Sequence, residues 1–193
     1  MKTVFFALSA WGLLAGPAAA QGGPVPPGAY RTAAAYRRRL PQPGGAHAYY
    51  PDKRGLLVVL VPRGPATVRQ RVAPDSLWGY ASGQGRTMRL YRGEEYQLDF
   101  ADTLCVYSSR TVRLDGERVG PAPDGPRYFF SRGLSGLIFP LTVHYLRAQY
   151  AAGSPAFVAA LGQLRFGQGL ADFDRTTGLF RVTALYREAA AAR

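Results

Sequence analysis

Cysteine is almost missing from this chain of 193 residues, with Cys105 the only one. That excludes an internal disulfide and a cysteine-based zinc site. Histidine is nearly as scarce: His47 falls in a loop and His144 in a predicted helix, as part of a helix–sheet contact. Neither has a carboxylate at metal-ligand spacing. Acid is in short supply as well, with 12 Asp and Glu against 24 Lys and Arg and a net charge of +12. The nucleophile elbow Gly-x-Ser-x-Gly is absent, and the acidic pairs Glu94-Glu95 and Asp172-x-Asp174 sit at turns, not across a cleft. Cys105 is placed in a row of hydrophobes, where a thiol stays protonated and inert.

Two glycine pairs look like binding loops and fail on spacing. A phosphate loop needs Gly, four residues, then Gly-Lys-Ser/Thr leading into a helix. Gly83-Gln84-Gly85-Arg86-Thr87 has the wrong interval, has no Lys and continues as a strand, and Gly167-Gln168-Gly169 fails likewise. Asp172-Phe173-Asp174 opens like a calcium loop. However, Thr177 stands where Gly is needed and Thr183 where Glu is needed, so a turn capped by Asp is the expectation. No cofactor and no metal are expected.

What is present begins with the N-terminus. Lys2 precedes an apolar run from Val4 to Ala15, and Ala18-Ala19-Ala20 places small residues before a cut between Ala20 and Gln21. That is the layout of a cleavable secretory signal, with a run too short to span a bilayer. No cysteine lies near the cut for lipid attachment, and no later stretch is apolar enough to cross a membrane. The expectation is a secreted protein, periplasmic or extracellular, of 173 residues after cleavage. One domain of that length can bury a core without staples.

Residues 21–29 read as a Pro/Gly-rich flexible spacer. Thr32 is a natural N-cap for a short helix from Ala33 to Leu40, stopped by Pro41. Residues 41–54 read as loop. From Gly55 to about Arg132 the pattern is a β meander of six to eight short strands. Leu56 to Val61 is a continuous apolar run, Val68, Gln70 and Val72 alternate with Arg69 and Arg71, and Asp115-Gly116 is a two-residue turn signal. From residue 137 onward the period becomes helical. One helix runs from Pro140 to about Ala152, with Leu141, Tyr145 and Ala148 on one face. A corner at Gly153-Ser154-Pro155 opens a second helix to Leu161, and a last helix spans roughly Arg181 to Ala191. The expected fold is α+β: an antiparallel meander, then C-terminal helices packed on the sheet, with a short N-terminal helix, all within residues 30–193.

Register can be counted from the turns. A three-residue loop Gly83–Gly85 sets Tyr80 opposite Met88 and Trp78 opposite Leu90. A three-residue turn Arg92-Gly93-Glu94 continues this to Leu90–Tyr96 and Met88–Leu98, and a turn at Ala101-Asp102 to Leu98–Cys105 and Tyr96–Tyr107. Two apolar rows result, Trp78, Leu90, Tyr96, Tyr107 and Tyr80, Met88, Leu98, Cys105. The opposite face then carries Arg89 with Glu95 and Asp99 as diagonal neighbours, a solvated face.

The opening Gly28-Ala29-Tyr30-Arg31-Thr32, the Trp78-Gly79-Tyr80 strand and the Arg89-Leu90-Tyr91…Tyr96 hairpin resemble a group of small secreted bacterial proteins of uncharacterised function. The likeness covers about residues 28–110. Members open with Gly-x-Tyr-x-Thr-x-x-Asp-aromatic, and Ala35 stands here at the Asp position, leaving half of a capping box. The resemblance implies export and this architecture, and no activity.

Arginine supplies 22 of the 24 basic residues. With abundant Ala, Gly and Pro, this is a composition that GC-rich codons favour, so part of the charge has a compositional origin. The functional expectation is a non-enzymatic envelope or extracellular protein that binds an anionic partner, an acidic glycan or lipopolysaccharide phosphate, through Arg37, Arg38, Arg39, Arg69 and Arg71. Export disfavours intracellular nucleic acid. The alternatives are a hydrolase or other enzyme with a site assembled from distant residues, and a structural or partner-binding protein that uses an exposed aromatic patch.

Overall fold

The computed structural model describes residues 24–46, 48–109, 111–114, 117–121, 126–164 and 168–192. The signal segment, His47, the Asp115-Gly116 turn and Gly167 lie outside the described residues. The architecture is α+β, as the pattern predicted. The chain enters as β1 (Gly28–Tyr30) and α1 (Ala33–Arg37), then forms β2 (Ala48–Pro51), β3 (Leu57–Arg63) and β4 (Ala66–Val72). A 3-10 turn at Pro74–Ser76 leads to β5 (Gly79–Ala81), β6 (Thr87–Tyr91), β7 (Glu94–Phe100) and β8 (Leu104–Ser109). A hairpin of β9 (Thr111–Leu114) and β10 (Glu117–Pro121) follows, then β11 (Arg127–Arg132) and β12 (Phe139–Pro140). The C-terminal part holds α2 (Val143–Tyr150), α3 (Pro155–Leu161), β13 (Phe173–Asp174), β14 (Leu179–Phe180) and α4 (Arg181–Ala191).

The main sheet has seven strands in the order β1-β5-β6-β7-β8-β11-β12, and β2-β3-β4 form a second sheet. The spacer ends sooner than its composition implies. Gly28 and Ala29 pair with Ala81 and Tyr80 in the sheet, and Ala29 is fully buried. The helix cap is as read: Thr32 Oγ1 accepts from the Ala35 N–H at 3.0 Å. The helix stops at Arg37, short of Leu40, and Arg39 takes a left-handed φ of 58°.

Residues directly opposite on antiparallel strands point to the same face. One continuous row runs Ala29, Tyr80, Met88, Gln97, Ser108, Tyr128 across six strands. This face is covered at one end by the second sheet, where Leu57, Val59 and Val61 pack on Ala29, Leu77 and Tyr80. Tyr49 stacks on Tyr80 with ring centroids 4.0 Å apart. At the other end helices α2–α4 cover Leu104, Val106 and Phe130 through Leu146, Tyr150, Phe157, Leu161 and Val182. The opposite face carries Tyr30, Cys105 and Tyr107, closed over by Ala33, Trp78 and Leu134.

The first hairpin keeps the counted register, Tyr80 opposite Met88, with Ser82 N–H bonded to Arg86 O at 2.8 Å and Leu90 N–H to Trp78 O at 2.9 Å. The second does not. Its turn has two residues, Arg92 and Gly93, at φ 51° and 73°, so Tyr91 pairs with Glu94, Leu90 with Glu95 and Arg89 with Tyr96. Positive φ at both positions is the type I′ geometry that matches strand twist. The one-residue difference exchanges the faces. Further on, the β7–β8 connection is longer than the two residues counted, so Phe100 pairs with Val106, and past a bulge Leu98 lies opposite Tyr107 instead of Cys105. In α2, Thr142 caps the helix by accepting from Tyr145 N–H at 3.3 Å, so the helix starts at Val143. Its buried face is therefore Leu146 and Tyr150; Tyr145 is exposed but stacks on Phe139 of β12 at 5.8 Å, and the exposed His144 lies edge-on to Tyr145.

Candidate functional site

The five arginines predicted to meet an anion do not form one group. Arg69 and Arg71 lie on β4 opposite Leu60 and Val58, whose side of the second sheet is turned away from the Leu57–Val59–Val61 core row. Arg71 is not left unneutralised, as the sequence suggested. Its Nε lies 3.2 Å from Asp52 Oδ2, and Asp52 is brought there by the β2–β3 turn. Arg69 is exposed and makes no ion pair among the described residues. Arg38 and Arg39 close α1 beyond its last turn, Arg38 exposed and Arg39 half-exposed.

Arg37 separates from its neighbours in sequence. It lines a cleft of about 570 Å³ together with Ala101, Asp102, Thr103, Arg132, Gly133 and Leu134. Three parts of the fold meet here: the end of α1, the β7–β8 turn and the turn that follows β11. Arg132, which the sequence reading missed, is steadied from below. Its guanidinium lies 5.2 Å from the Tyr150 ring centroid, and it donates to Gln149 O at 3.3 Å. Asp102 contributes the cleft's one carboxylate, and that charge is already answered. Arg187 donates to Asp102 Oδ2 from Nη2 at 2.7 Å and from Nε at 3.2 Å. Burial alone would push the Asp102 carboxyl up, but the Arg187 and Thr103 hydrogen bonds outweigh it and hold the group below the usual carboxylate range. Arg37 and Arg132 thus reach the cleft with no acidic partner among the described residues.

Beneath the cleft is a buried polar cluster that the counted register had placed in solvent. Arg89 is 4 % exposed and lies on the Tyr96–Tyr107 face, opposite to the side carrying Glu95. Its Nη1 donates to Tyr107 Oη at 2.9 Å and Ser131 Oγ at 3.3 Å, and its Nη2 to Gly136 O at 2.6 Å. The Tyr91 and Tyr107 rings lie 5.5 and 5.6 Å from the guanidinium carbon. No carboxylate joins the cluster among the described residues, and Arg89 Nε has no hydrogen-bond partner there. Burial pushes the Tyr107 phenol up to about 12. Burial likewise pushes the Cys105 thiol up, and Cys105 donates to Asp102 O at 3.1 Å. A protonated thiol and phenol hold hydrogen bonds and offer no nucleophile at neutral pH. The cluster's work is positional: it ties the turn after β11 to the sheet. Only the two-residue turn at Arg92-Gly93 could have signalled it in the sequence.

A second cleft, of about 480 Å³, lies between the β13–β14 hairpin and α4 and includes Asp172, Asp174, Arg181 and Glu188. Its aspartates are committed to the turn, as the sequence implied. Asp174 accepts from Thr176 N–H at 2.8 Å and Thr177 Oγ1 at 2.9 Å, while Asp172 accepts from Gly169 N–H at 2.9 Å and pairs with Arg181 at 3.5 Å. These are local caps of an Asx turn. Searched against family models, curated proteins and solved structures, the chain matches none of them.

Proposed function

We propose that this chain is an exported, non-enzymatic protein of the cell envelope or its surroundings that binds an anionic partner, an acidic glycan or lipopolysaccharide phosphate, through an arginine-bearing surface. The observation that carries the reading is the distribution of charge partners. Asp52, Asp102 and Asp172 are each engaged by an arginine, whereas Arg37, Arg132 and Arg69 are exposed and meet no carboxylate among the described residues. A net charge of +12 adds long-range attraction for such a partner. Export is inferred from the N-terminal pattern of residues 1–20, and among the described residues no helix is long and apolar enough to cross a membrane.

The test is retention of the chain lacking residues 1–20 on immobilised heparin and on lipopolysaccharide, eluted with salt. Retention that falls steeply between low and moderate salt is expected, because each neutralised phosphate or sulfate releases a counterion. No retention, or retention indifferent to salt, would overturn the reading.

A further inference from the structure

We propose that the cleft between Arg37 and Arg132 is a discrete oxyanion site in which the turn after β11 supplies backbone N–H groups to a phosphate group. The inference rests on the anion-binding reading above and narrows it to one place and one chemistry. Three carbonyls of this turn are drawn inward. Gly133 O accepts from Ser131 Oγ at 2.7 Å, Leu134 O from Trp78 Nε1 at 2.7 Å and Gly136 O from Arg89 Nη2 at 2.6 Å. A trans peptide holds its C=O and the following N–H in one plane on opposite sides. With the Gly133 and Leu134 carbonyls held inward, the Leu134 and Ser135 N–H groups face outward. Neither has an acceptor among the described residues. Gly133 has φ 64°, and successive N–H groups around a left-handed residue form the concave arrangement that holds anions.

The side chains around this turn match. Gly133 and Leu134 line the same cleft as Arg37 and Arg132. A Cβ built on Gly133 would lie 3.8 Å from an Arg37 guanidinium nitrogen, so that guanidinium rests directly over the turn. Arg89 adds a buried positive charge under the turn, with no carboxylate among the described residues to cancel it. Asp102 is the opposing charge, and Arg187 holds it. The Arg37 guanidinium, the Arg132 guanidinium with one nitrogen given to Gln149 O, and two N–H groups suit a tetrahedral anion with three terminal oxygens and close to two charges. A carboxylate offers only two oxygens in one plane. The shared chemistry is a phosphate, free or as a monoester.

The experiment follows backbone amide signals by NMR in the chain lacking residues 1–20, titrated with inorganic phosphate and separately with glucosamine 6-phosphate. Saturable shifts centred on the Leu134 and Ser135 amides are expected. Binding should weaken at least about tenfold in Arg132→Gln and again in the double variant with Arg37→Gln, since each removes a charge-assisted contact. Both side chains are exposed, and unchanged signals elsewhere show that the variants fold. Preference for the ester over free phosphate points to a sugar or lipid phosphate as the source, and the reverse order to free phosphate. Unmoved Leu134 and Ser135 amides in the wild-type chain overturn the site. If heparin retention persists in that case, the surface reading survives the loss of this site; if retention is also absent, both fall.

Discussion

Arg89 shows how much one side chain can depend on its surroundings. In solvent, its truncation would change stability by no more than about 0.5 kcal/mol. Buried as it is, Arg89 donates to Tyr107, Ser131 and Gly136, and Arg89→Ala strips Gly136 O of its partner and leaves a void. We expect a loss of about 3 kcal/mol, read from urea unfolding midpoints. Two carboxylates act in opposite directions with pH. Asp102 has a lowered pKa, so its contribution is complete above the unfolded value of about 3.9 and fades as pH falls through the folded one. Asp102→Asn should therefore be destabilising at pH 7, with the gap closing at low pH. Burial raises the Asp99 pKa, although the Gln97 and Ser108 side-chain hydrogen bonds oppose it. Its favourable contribution is complete below the unfolded value and is lost as pH rises through the folded one. Asp99→Asn should then be stabilising at pH 7 and neutral below about pH 4. Unfolding midpoints measured from pH 3 to 7 separate the two.

Among the elements, the β6–β7 hairpin decides most. Arg92 and Gly93 both hold positive φ, so the turn is right for Gly93 and strained for Arg92. Arg92→Asn should raise stability by about 0.5 kcal/mol, and Gly93→Val should lower it by more than about 1 kcal/mol, in thermal or urea unfolding. An insertion in this turn would be worse than either. It would restore the alternative register and send Arg89 to the side of Glu95. The helices are more local in origin. Thr32 caps α1 with a side-chain oxygen and Pro155 opens α3, so those starts could be read directly, whereas α2 begins at Val143 after the Thr142 cap and not at Pro140.

At the scale of the molecule, one face of the main sheet is shared between two covers and the other is covered in part. The second sheet and the helices each cover half of one face, and the segment of Tyr30, Ala33 and Trp78 covers part of the other. The helical half depends on aromatic packing. Phe157 is fully buried, with Tyr150 and Tyr186 rings edge-on at 5.2 Å each. Phe157→Ala should cost about 4 kcal/mol, seen as a lower denaturation midpoint. The Arg37–Arg132 cleft adjoins that cluster through Arg132 on the Tyr150 ring, while Arg37, Gly133 and Leu134 lie apart from it, so phosphate should still raise the variant's midpoint if the oxyanion site holds.

The sequence by itself determined what depends on near neighbours. The apolar run that became β3, the Gly83–Gly85 turn and its pairing, the capped helices and the α+β order all follow from propensity, spacing and turn chemistry within a few residues. Tertiary structure decided which face each strand presents and which distant residues meet. Facing is a sum over successive turns, and a single residue in the Arg92-Gly93 turn reverses it, turning an expected surface arginine into a buried one. The cleft brings together Arg37, Asp102 and Arg132, with Arg187 closing on Asp102. No periodicity links those positions. Only the packing of α1, the β7–β8 turn, the end of β11 and α4 around one corner of the sheet sets them side by side.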